Sequence, residues 1–299
     1  MSRSVKAHIL LILVVFIWGS TFVVIKEALK DASPLVFNAV RFLLATFCLA
    51  AFYPRELKRL TGRDFKYAAP VGVFLFLGYT FQTTGLRLTT PSKSGFITGV
   101  SVVLVPLFLF VFFRKRLRFL SATGAVLAFG GLALLALPAG TDWRGLIHLN
   151  RGDLLTLGCA VAFAFHIIFI GRATEKISFQ AVAIVQTAVA AILMWIAVPI
   201  AEHPHFVASP RVMIAVVLGA VLATAVAFSV QSWAQQFTSP TNTALIFALE
   251  PVFALLTSYV VLHERLGSRA AIGCALILAG VLISEVIPEP ALKTSPSTS

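Results

Sequence analysis

The chain has 299 residues, of which 59% are hydrophobic and only 12% are charged, and its mean hydropathy is +0.94. Soluble domains carry about 25% charged residues, so this composition leaves too little polar surface to cover a water-soluble fold. The net charge of +12 comes from Lys and Arg in short segments between apolar runs, which favours membrane topology over nucleic-acid binding. The composition therefore predicts an all-α protein that crosses a bilayer several times.

Apolar runs of about 20 residues match the length that a helix needs to cross a hydrocarbon layer about 30 Å thick. The first half contains five predicted spans: Ala7–Ala28, Pro34–Tyr53, Tyr67–Leu88, Lys93–Phe113 and Leu120–Pro138. Arg3 and Lys6 precede the first span, as basic residues precede a signal peptide. Its apolar part nevertheless continues from Ile9 to Ile25 without a small-residue cleavage site, so we expect it to be retained.

A polar segment, Ala139–Gly152, separates the two halves. The second half contains five further predicted spans: Asp153–Gly171, Ser178–Ile200, Arg211–Gln236, Thr241–His263 and Ser268–Ile287. The last twelve residues, Pro288–Ser299, are rich in Pro, Ser and Thr and are predicted to be disordered. The three cysteines, Cys48, Cys159 and Cys274, lie within apolar runs without metal-ligand spacing and are interpreted as core residues.

The stretch Thr90–Leu117 recurs without gaps 149 positions later as Ser239–Leu266. The matching pairs include Pro91 and Pro240, Gln82 and Gln231, Arg116 and Arg265, Gly124 and Gly273, and Gly131 and Gly280. The offset is half the chain length, which indicates a duplicated unit. With five spans per unit, the two copies must lie upside down relative to each other, as in many secondary transporters with a midplane site. The predicted organisation is a first repeat over residues 1–138, a loop over 139–152, a second repeat over 153–287 and a tail over 288–299.

The Lys and Arg residues near the span ends predict the orientation. In the first half most of them lie on the side of the N-terminus, which places both termini in the cytoplasm. In the second half more of the Lys and Arg residues lie on the opposite side, but the first helices usually determine the orientation. We therefore expect a multi-pass protein of the plasma membrane, which in a bacterium is the inner membrane.

Several motifs resemble one family. They are WGSTF at Trp18–Phe22, NAVRFLLA at Asn38–Ala45, and the paired stretches that end in RKRL and HERL. Together with the ten predicted spans they resemble the drug/metabolite transporter (DMT) superfamily, and within it an EamA-type transporter with two EamA repeats. The resemblance covers about Ile9–Val286. It implies ten helices around a central cavity, alternating access, and small-molecule substrates such as amino acids, other metabolites or drugs, with export as a common direction.

The most specific part of this resemblance is ALEPVFALLTSYVVLHERL in the second repeat, followed by a Gly-rich last helix. The first repeat departs from the family pattern. Ser101 and Val102 stand where the second repeat has Glu250 and Pro251, and a basic RKR replaces the usual acidic residue. A role that needs the same residues in both halves is therefore not expected.

Ionisable residues inside the spans are candidates for function. Glu250 lies near the predicted bilayer centre, where a charge costs at least about 2.5 kcal/mol, so it either faces a cavity or packs beside a kink at Pro251. His166 either takes part in proton-linked transport or forms a hydrogen bond between helices. Arg41 either snorkels to the membrane surface or, as the resemblance favours, pairs with or caps a neighbouring helix.

Neutral polar and aromatic residues complete the predicted site. Tyr79, Gln82 and Thr83 share one helix face, and Gln82 and Gln231 either face a shared cavity or hold helices together. The predicted substrate-binding residues are Trp18, Ser20, Tyr79, Gln82, Thr83, Phe163, His166, Phe228, Gln231, Ser232 and Glu250.

The function predicted is secondary transport of small amphipathic metabolites, such as amino acids, with proton coupling through Glu250 or His166 left open. Multidrug or cationic efflux is an alternative. Anionic sugar phosphates would need deep Lys or Arg residues, and none is expected. An enzyme would need a motif such as HExxH or a nucleophile elbow, and a channel would need charge rings or a carbonyl filter; none of these patterns occurs in the sequence.

No cofactor or metal site is predicted. The predicted partners are the substrate and the lipid bilayer, and the chain is expected to function as a monomer because it contains both repeats.

Overall fold

The structure is a computed structural model that describes residues 2–89, 91–116, 118–136, 150–262 and 267–285. Within these ranges the regular secondary structure is helical, apart from one isolated bridge between Ala32 and Phe206. The predicted all-α membrane class is therefore confirmed. Residues 139–149 of the predicted loop and the whole predicted tail, 288–299, lie outside the described residues.

Helices of the first half lie close to the predicted spans. They are α1 (Arg3–Ala28), α2 (Pro34–Phe52), the short α3 (Pro54–Leu57), α4 (Gly62–Leu86), α5 (Pro91–Gly99), α6 (Ser101–Phe113) and α7 (Phe119–Ala136).

Helices of the second half follow the same order. They are α8 (Arg151–Ala173), α9 (Phe179–Ala201), α10 (Pro210–Ala220), α11 (Ala227–Ala234), α12 (Pro240–Phe247), α13 (Glu250–Leu262) and α14 (Ser268–Glu285). A π-helical turn, Val221–Val226, joins α10 to α11. Judged by length and composition, seven helical stretches of the described residues could each cross a membrane. Ten spans therefore remain a prediction.

Local sequence explains where several helices begin. Ser33, Ser209 and Ser239 each precede a proline in the first helical turn, where the missing amide hydrogen costs nothing. The hydroxyl oxygens of Ser209 and Ser239 also accept hydrogen bonds from backbone amides three residues on. At the start of α8, Asn150 and Asp153 form a reciprocal capping box.

Three of the predicted spans contain an interruption. The sequence predicts a continuous helix over the fourth span, but the structure breaks it at Val100, between α5 and α6. The π turn in the eighth span is likewise absent from the prediction. In the ninth span the helix turns at Ala248 and Leu249, close to the kink expected from Pro251.

The two repeats meet where α7 packs antiparallel on α14. A β-carbon on Gly124 would lie 2.5 Å from the carbonyl oxygen of Gly280, and one on Gly131 would lie 2.5 Å from that of Gly273. Because Gly124 is equivalent to Gly273 and Gly131 to Gly280, exchanging the repeats converts one contact into the other. Equivalent helices that run in opposite directions are what an inverted duplication requires.

Polar residues at the helix ends gather on two faces. The face that holds the start of α1, here the N-terminal face, includes a contact of 2.8 Å between His8 Nε2 and Thr238 Oγ1. On the opposite face, the Ser33 amide donates to the carbonyl oxygen of His205 at 2.7 Å, which joins the loop after α1 to the loop after α9.

The repeats differ where α5 and α12 begin. On the opposite face, Lys93 Nζ lies 2.6 Å from Asp153 Oδ2, and both side chains are largely buried. The position equivalent to Lys93 is Asn242, and the position equivalent to Asp153 is Ser4. Asn242 is fully buried, and its side-chain nitrogen and oxygen have no hydrogen-bond partner among the described residues. An ion pair therefore joins the start of α5 to α8, whereas the equivalent positions on α12 and α1 carry no charged side chains.

We expect Gly131→Ala to lower the melting temperature in detergent, because the added methyl group would collide with the backbone of α14. Overpacking of this kind typically costs about 1–3 kcal/mol. Gly130→Ala is the matched control, since a β-carbon on Gly130 has no atom within 4 Å. Equal melting temperatures for the two variants would contradict the close approach of α7 and α14.

The inverted arrangement also predicts the sidedness of two equivalent positions, Arg118 and Gly267. Single cysteines there, in a background without the three native cysteines, should react with a membrane-impermeant maleimide from opposite sides of the membrane. Reaction of Arg118→Cys from the cytoplasm would also support the predicted orientation of the termini. Labelling of both positions from one side would exclude an inverted duplication.

Candidate functional site

The helix interruptions of the two repeats fall at equivalent positions. Val100, between α5 and α6, is equivalent to Leu249, between α12 and α13. Pro251 has no amide hydrogen, so the hydrogen-bond ladder of α12 cannot continue through it. At Val100 the backbone tightens instead, and its amide donates to the carbonyl oxygen of Ile97 at 3.1 Å. Paired interruptions of this kind mark the binding region of many secondary transporters.

Residues beside both interruptions line a cavity of about 450 Å³, which receives residues from both repeats. This volume lies within the range of roughly 300–1,000 Å³ that is typical of small-molecule sites. Apolar and aromatic side chains form most of its wall. Among the described residues that line it, the charged ones are Arg41 from α2 and Glu250 from the start of α13.

Most of the predicted site residues line this cavity: Trp18, Tyr79, Gln82, Thr83, Phe163, His166, Phe228, Gln231 and Glu250. Ser20 and Ser232 do not line it. The Ser20 hydroxyl lies 3.3 Å from Thr257 Oγ1, and the Ser232 hydroxyl accepts a hydrogen bond from Gln186 Nε2 at 3.2 Å. Each of these serines therefore joins two helices.

The two equivalent glutamines, Gln82 and Gln231, both line the cavity. Gln231 is fully buried, and its Nε2 donates to Gln235 Oε1 at 3.1 Å. Its Oε1 is buried without a hydrogen-bond partner among the described residues. Gln231 therefore places an unsatisfied acceptor at the cavity wall, where a ligand with an N–H or O–H group could satisfy it.

Aromatic rings form a continuous part of the wall. The Trp18 ring lies 5.9 Å from that of Phe228 and 5.0 Å from that of Phe247, measured between centroids. Tyr79 and Phe163 form an edge-to-face pair at 5.6 Å and pack against the same cluster as Trp18 and Phe228. These pairs give the cavity a large apolar surface of fixed shape.

His166 is held between α8 and α9 by a buried polar chain. Its Nε2 lies 2.9 Å from Gln186 Oε1, and Gln186 Nε2 donates to the Ser232 hydroxyl. Because the Gln186 oxygen can only accept, Nε2 of His166 carries the proton in this arrangement. His166 thus forms the interhelical hydrogen bond that was one of its two interpretations, while its ring also lines the cavity.

Arg41 lies deep in the protein and is only 3% exposed. Its Nε donates to Thr224 Oγ1 at 2.8 Å and to the carbonyl oxygen of Gly219 at 3.2 Å, and its Nη2 donates to that of Ala223 at 3.1 Å. Trp18 Nε1 donates to the same Ala223 oxygen at 2.9 Å. Arg41 therefore satisfies carbonyl groups at the π turn, as the helix-capping interpretation requires. The expectation of no deep Arg or Lys was wrong, because Arg41 also lines the cavity.

Asn38 is a site residue that the sequence interpretation missed. It lies one turn before Arg41 on the same face of α2, lines the cavity and is 2% exposed. Its Nδ2 is buried without a hydrogen-bond partner among the described residues. The NAVR motif contains both residues, so the spacing of Asn38 and Arg41 was the available signal. Other polar lining residues absent from the prediction are Thr21, Ser94, Thr98 and Ser101.

A second hollow, of about 380 Å³, adjoins the cavity towards the opposite face and shares Leu29 and Thr83 with it. Near this hollow, Asp31 accepts a hydrogen bond from the Ser209 hydroxyl at 2.6 Å. The Arg211 guanidinium binds both oxygens of the same carboxylate, at 2.5 Å and 3.0 Å. These contacts connect the loop after α1 to the start of α10.

Two segments, residues 5–137 and 150–285, match the model of the EamA-like transporter family. The chain belongs to this family. The resemblance to DMT-superfamily transporters is therefore confirmed, and the protein is a transporter rather than an enzyme.

Similar proteins support the same assignment. An uncharacterized transporter of Archaeoglobus fulgidus is 36% identical over 283 residues, which cover 94% of this chain and 86% of the relative. A probable amino-acid metabolite efflux pump of Escherichia coli is 28% identical, with 95% of each chain covered. A solved crystal structure superposes with a TM-score of 0.78 at 22% identity, and covers 95% of this chain and 98% of its own. This last similarity shows the fold alone.

The contact of Asp31 predicts a pH-dependent stability. The Ser209 hydroxyl and the Arg211 guanidinium hold the pKa of Asp31 below its ordinary value of 3.8. Stabilisation by this carboxylate is therefore present above 3.8 and is lost as the pH falls through the lower pKa of the folded state. We expect Asp31→Asn to melt at a lower temperature than the wild type at neutral pH, and the difference to disappear in strong acid. A difference that persists there would contradict an ionic contact.

Proposed function

We propose that this EamA-family protein is a secondary transporter that exports small amphipathic metabolites, such as amino acids or related compounds, by alternating access. The observation that carries the proposal is the cavity at the paired helix interruptions. Its aromatic wall suits an apolar side chain or ring, while Asn38, Gln82 and Gln231 offer hydrogen-bonding groups to a polar end. The relative from Escherichia coli, named as a probable amino-acid metabolite efflux pump, supports the same substrate class.

The accessible side of the cavity supports the proposed direction. Its lining extends to Leu29 at the end of α1 and to Leu135 near the end of α7, both towards the opposite face. On the N-terminal face, Lys6 lies over the Trp233 ring and Arg3 over the Phe237 ring. With both termini in the cytoplasm, this conformation would face outward, and substrate loaded from the cytoplasm would leave through the hollow near Arg87 and His205.

Glu250 is the proposed proton-coupling group. It lines the cavity, and its carboxylate has no ion pair or hydrogen bond with the described residues. A carboxylate in this position gains stability when it takes up a proton or meets a cationic ligand. His166, whose Nε2 is already engaged by Gln186, is the less suitable group.

Efflux of lipophilic cations is a second candidate, and the combination of Glu250 with aromatic rings favours it. Arg41 counts against it, since a cation in the cavity would be repelled by the guanidinium. Reconstituted vesicles distinguish the two candidates when uptake and counterflow are compared for amino acids, their metabolites and cationic dyes. Efficient flux of cations with no amino-acid flux would replace the first proposal by the second.

Glu250→Gln should abolish the dependence of transport on a pH gradient, because glutamine keeps the shape of glutamate but cannot carry the proton. Uncoupled counterflow should remain measurable at a substrate concentration high enough to offset weaker binding, since glutamine preserves the shape of the cavity. Glu175→Gln, beyond the end of α8 and outside the cavity, is the control and should keep the wild-type dependence. Proton-driven flux at the wild-type level in Glu250→Gln would remove this residue from the coupling mechanism.

A further inference from the structure

We infer that the cavity holds its substrate in one orientation, with a carboxylate against Asn38 and Arg41 on α2 and an ammonium group against Glu250 and Gln231. This inference rests on the proposed transport function and specifies which residues recognise each end of the substrate. It assigns a binding role to Asn38, and it adds a binding role to the contacts that Arg41 makes at the π turn.

Hydrogen-bond donors are concentrated on the α2 side. Asn38 Nδ2 is buried and lacks a partner among the described residues, and it lies one helical turn from Arg41. The guanidinium of Arg41 donates through Nε and Nη2 to α10 and the π turn, and it also lies over the Tyr79 ring, 5.3 Å from the ring centroid. No carboxylate of the described residues pairs with Arg41. A guanidinium that lacks a carboxylate counter-ion and lies beside an unsatisfied amide is a suitable site for a carboxylate.

Acceptors are concentrated on the side of α11 and α13. Glu250 carries a carboxylate, and the Gln231 Oε1 is buried without a donor among the described residues. The Gln231 amide nitrogen already donates to Gln235, which fixes the oxygen as the remaining group. A primary ammonium has three N–H donors, so it can satisfy both Glu250 and Gln231 at once.

Arg41 and Glu250 line the same largely apolar cavity but do not form an ion pair with each other. Tyr79, which also lines the cavity, lies beside Arg41, with the guanidinium carbon 5.3 Å from its ring centroid. Charges in a medium of low dielectric are costly unless they are compensated. A zwitterion compensates both. A simple cation would leave Arg41 uncompensated, and a simple anion would leave Glu250 uncompensated unless it is protonated.

The test compares binding of three matched ligands to the full-length protein in detergent. Phenylalanine is compared with phenethylamine, which lacks the carboxylate, and with N-acetylphenylalanine, which lacks the ammonium group; leucine and threonine are compared in the same way. Each loss removes a charge-assisted contact, so at least one amino acid should bind about 10-fold to 100-fold more tightly than both of its derivatives.

Variants locate the two ends. Asn38→Asp places a negative charge beside the substrate carboxylate, so it should lower the ratio of amino-acid to amine affinity by at least about 10-fold. Glu250→Gln should lower the ratio of amino-acid to N-acetyl affinity. Thr46→Val, also on α2 but outside the cavity, should change neither ratio. The ratio of two ligand affinities measured on one variant does not change when part of the protein is unfolded. Arg41→Lys can therefore be measured in the same way.

The inference would be overturned if none of the three amino acids bound more tightly than its amine, or if the Asn38→Asp variant had an unchanged ratio. Failure to bind any of the three amino acids, together with vesicle flux of another metabolite, would also overturn it and would leave the proposed transport function intact. Absence of flux for every compound in the vesicle panel would contradict both the inferred binding orientation and the proposed transport function.

Discussion

Every backbone N–H and C=O group at membrane depth must find a partner within the protein, because lipid offers none and each unsatisfied group costs several kcal/mol. This constraint explains where the irregular backbone lies. The turns at Val100 and at Leu249 lie against the cavity between the repeats. The third irregular element, the π turn of Val221–Val226, is served by the side chains of Arg41 and Trp18. The same side chains therefore stabilise the fold and form the wall of the site.

The duplication provides a symmetric frame, whereas the chemistry of the cavity is asymmetric. The glycine contacts between α7 and α14 interconvert when the repeats are exchanged, and Gln82 and Gln231 reach the cavity from equivalent positions. Glu250 has Ser101 as its counterpart, and Arg41 has Ala190. The charged groups thus occur once each and on opposite repeats. A cavity built in this way can distinguish the two ends of a ligand although the surrounding helices are duplicated.

Several regular features of this fold were predictable from the sequence. The length of the apolar runs predicts the helices, the Ser-Pro pairs mark helix starts, and the 149-residue offset indicates the duplication. Most of the predicted cavity residues were also recognisable, because a polar or aromatic residue within an apolar span has few other places to face. The break at Val100 was not predictable, because no proline follows it as Pro251 follows Leu249. The capping role of Arg41 agrees with its interpretation, but its place at the cavity was not predictable, because the groups that hold it lie in α10 and the π turn, 178 to 183 residues away in the chain. The sequence could not show that Ser20 and Ser232 lie outside the cavity, because that depends on which helix packs against each of them.

The difference between Lys93 and Asn242 bears on the energy landscape of the molecule. If the two halves were identical in sequence, exchanging their conformations would generate an oppositely facing form of equal free energy. The buried ion pair between Lys93 and Asp153 has no equivalent on the N-terminal face, where the fully buried Asn242 leaves both polar atoms without a described partner. The ion pair of Lys93 therefore stabilises only one of the two forms that such an exchange would relate, and the two forms would differ in free energy.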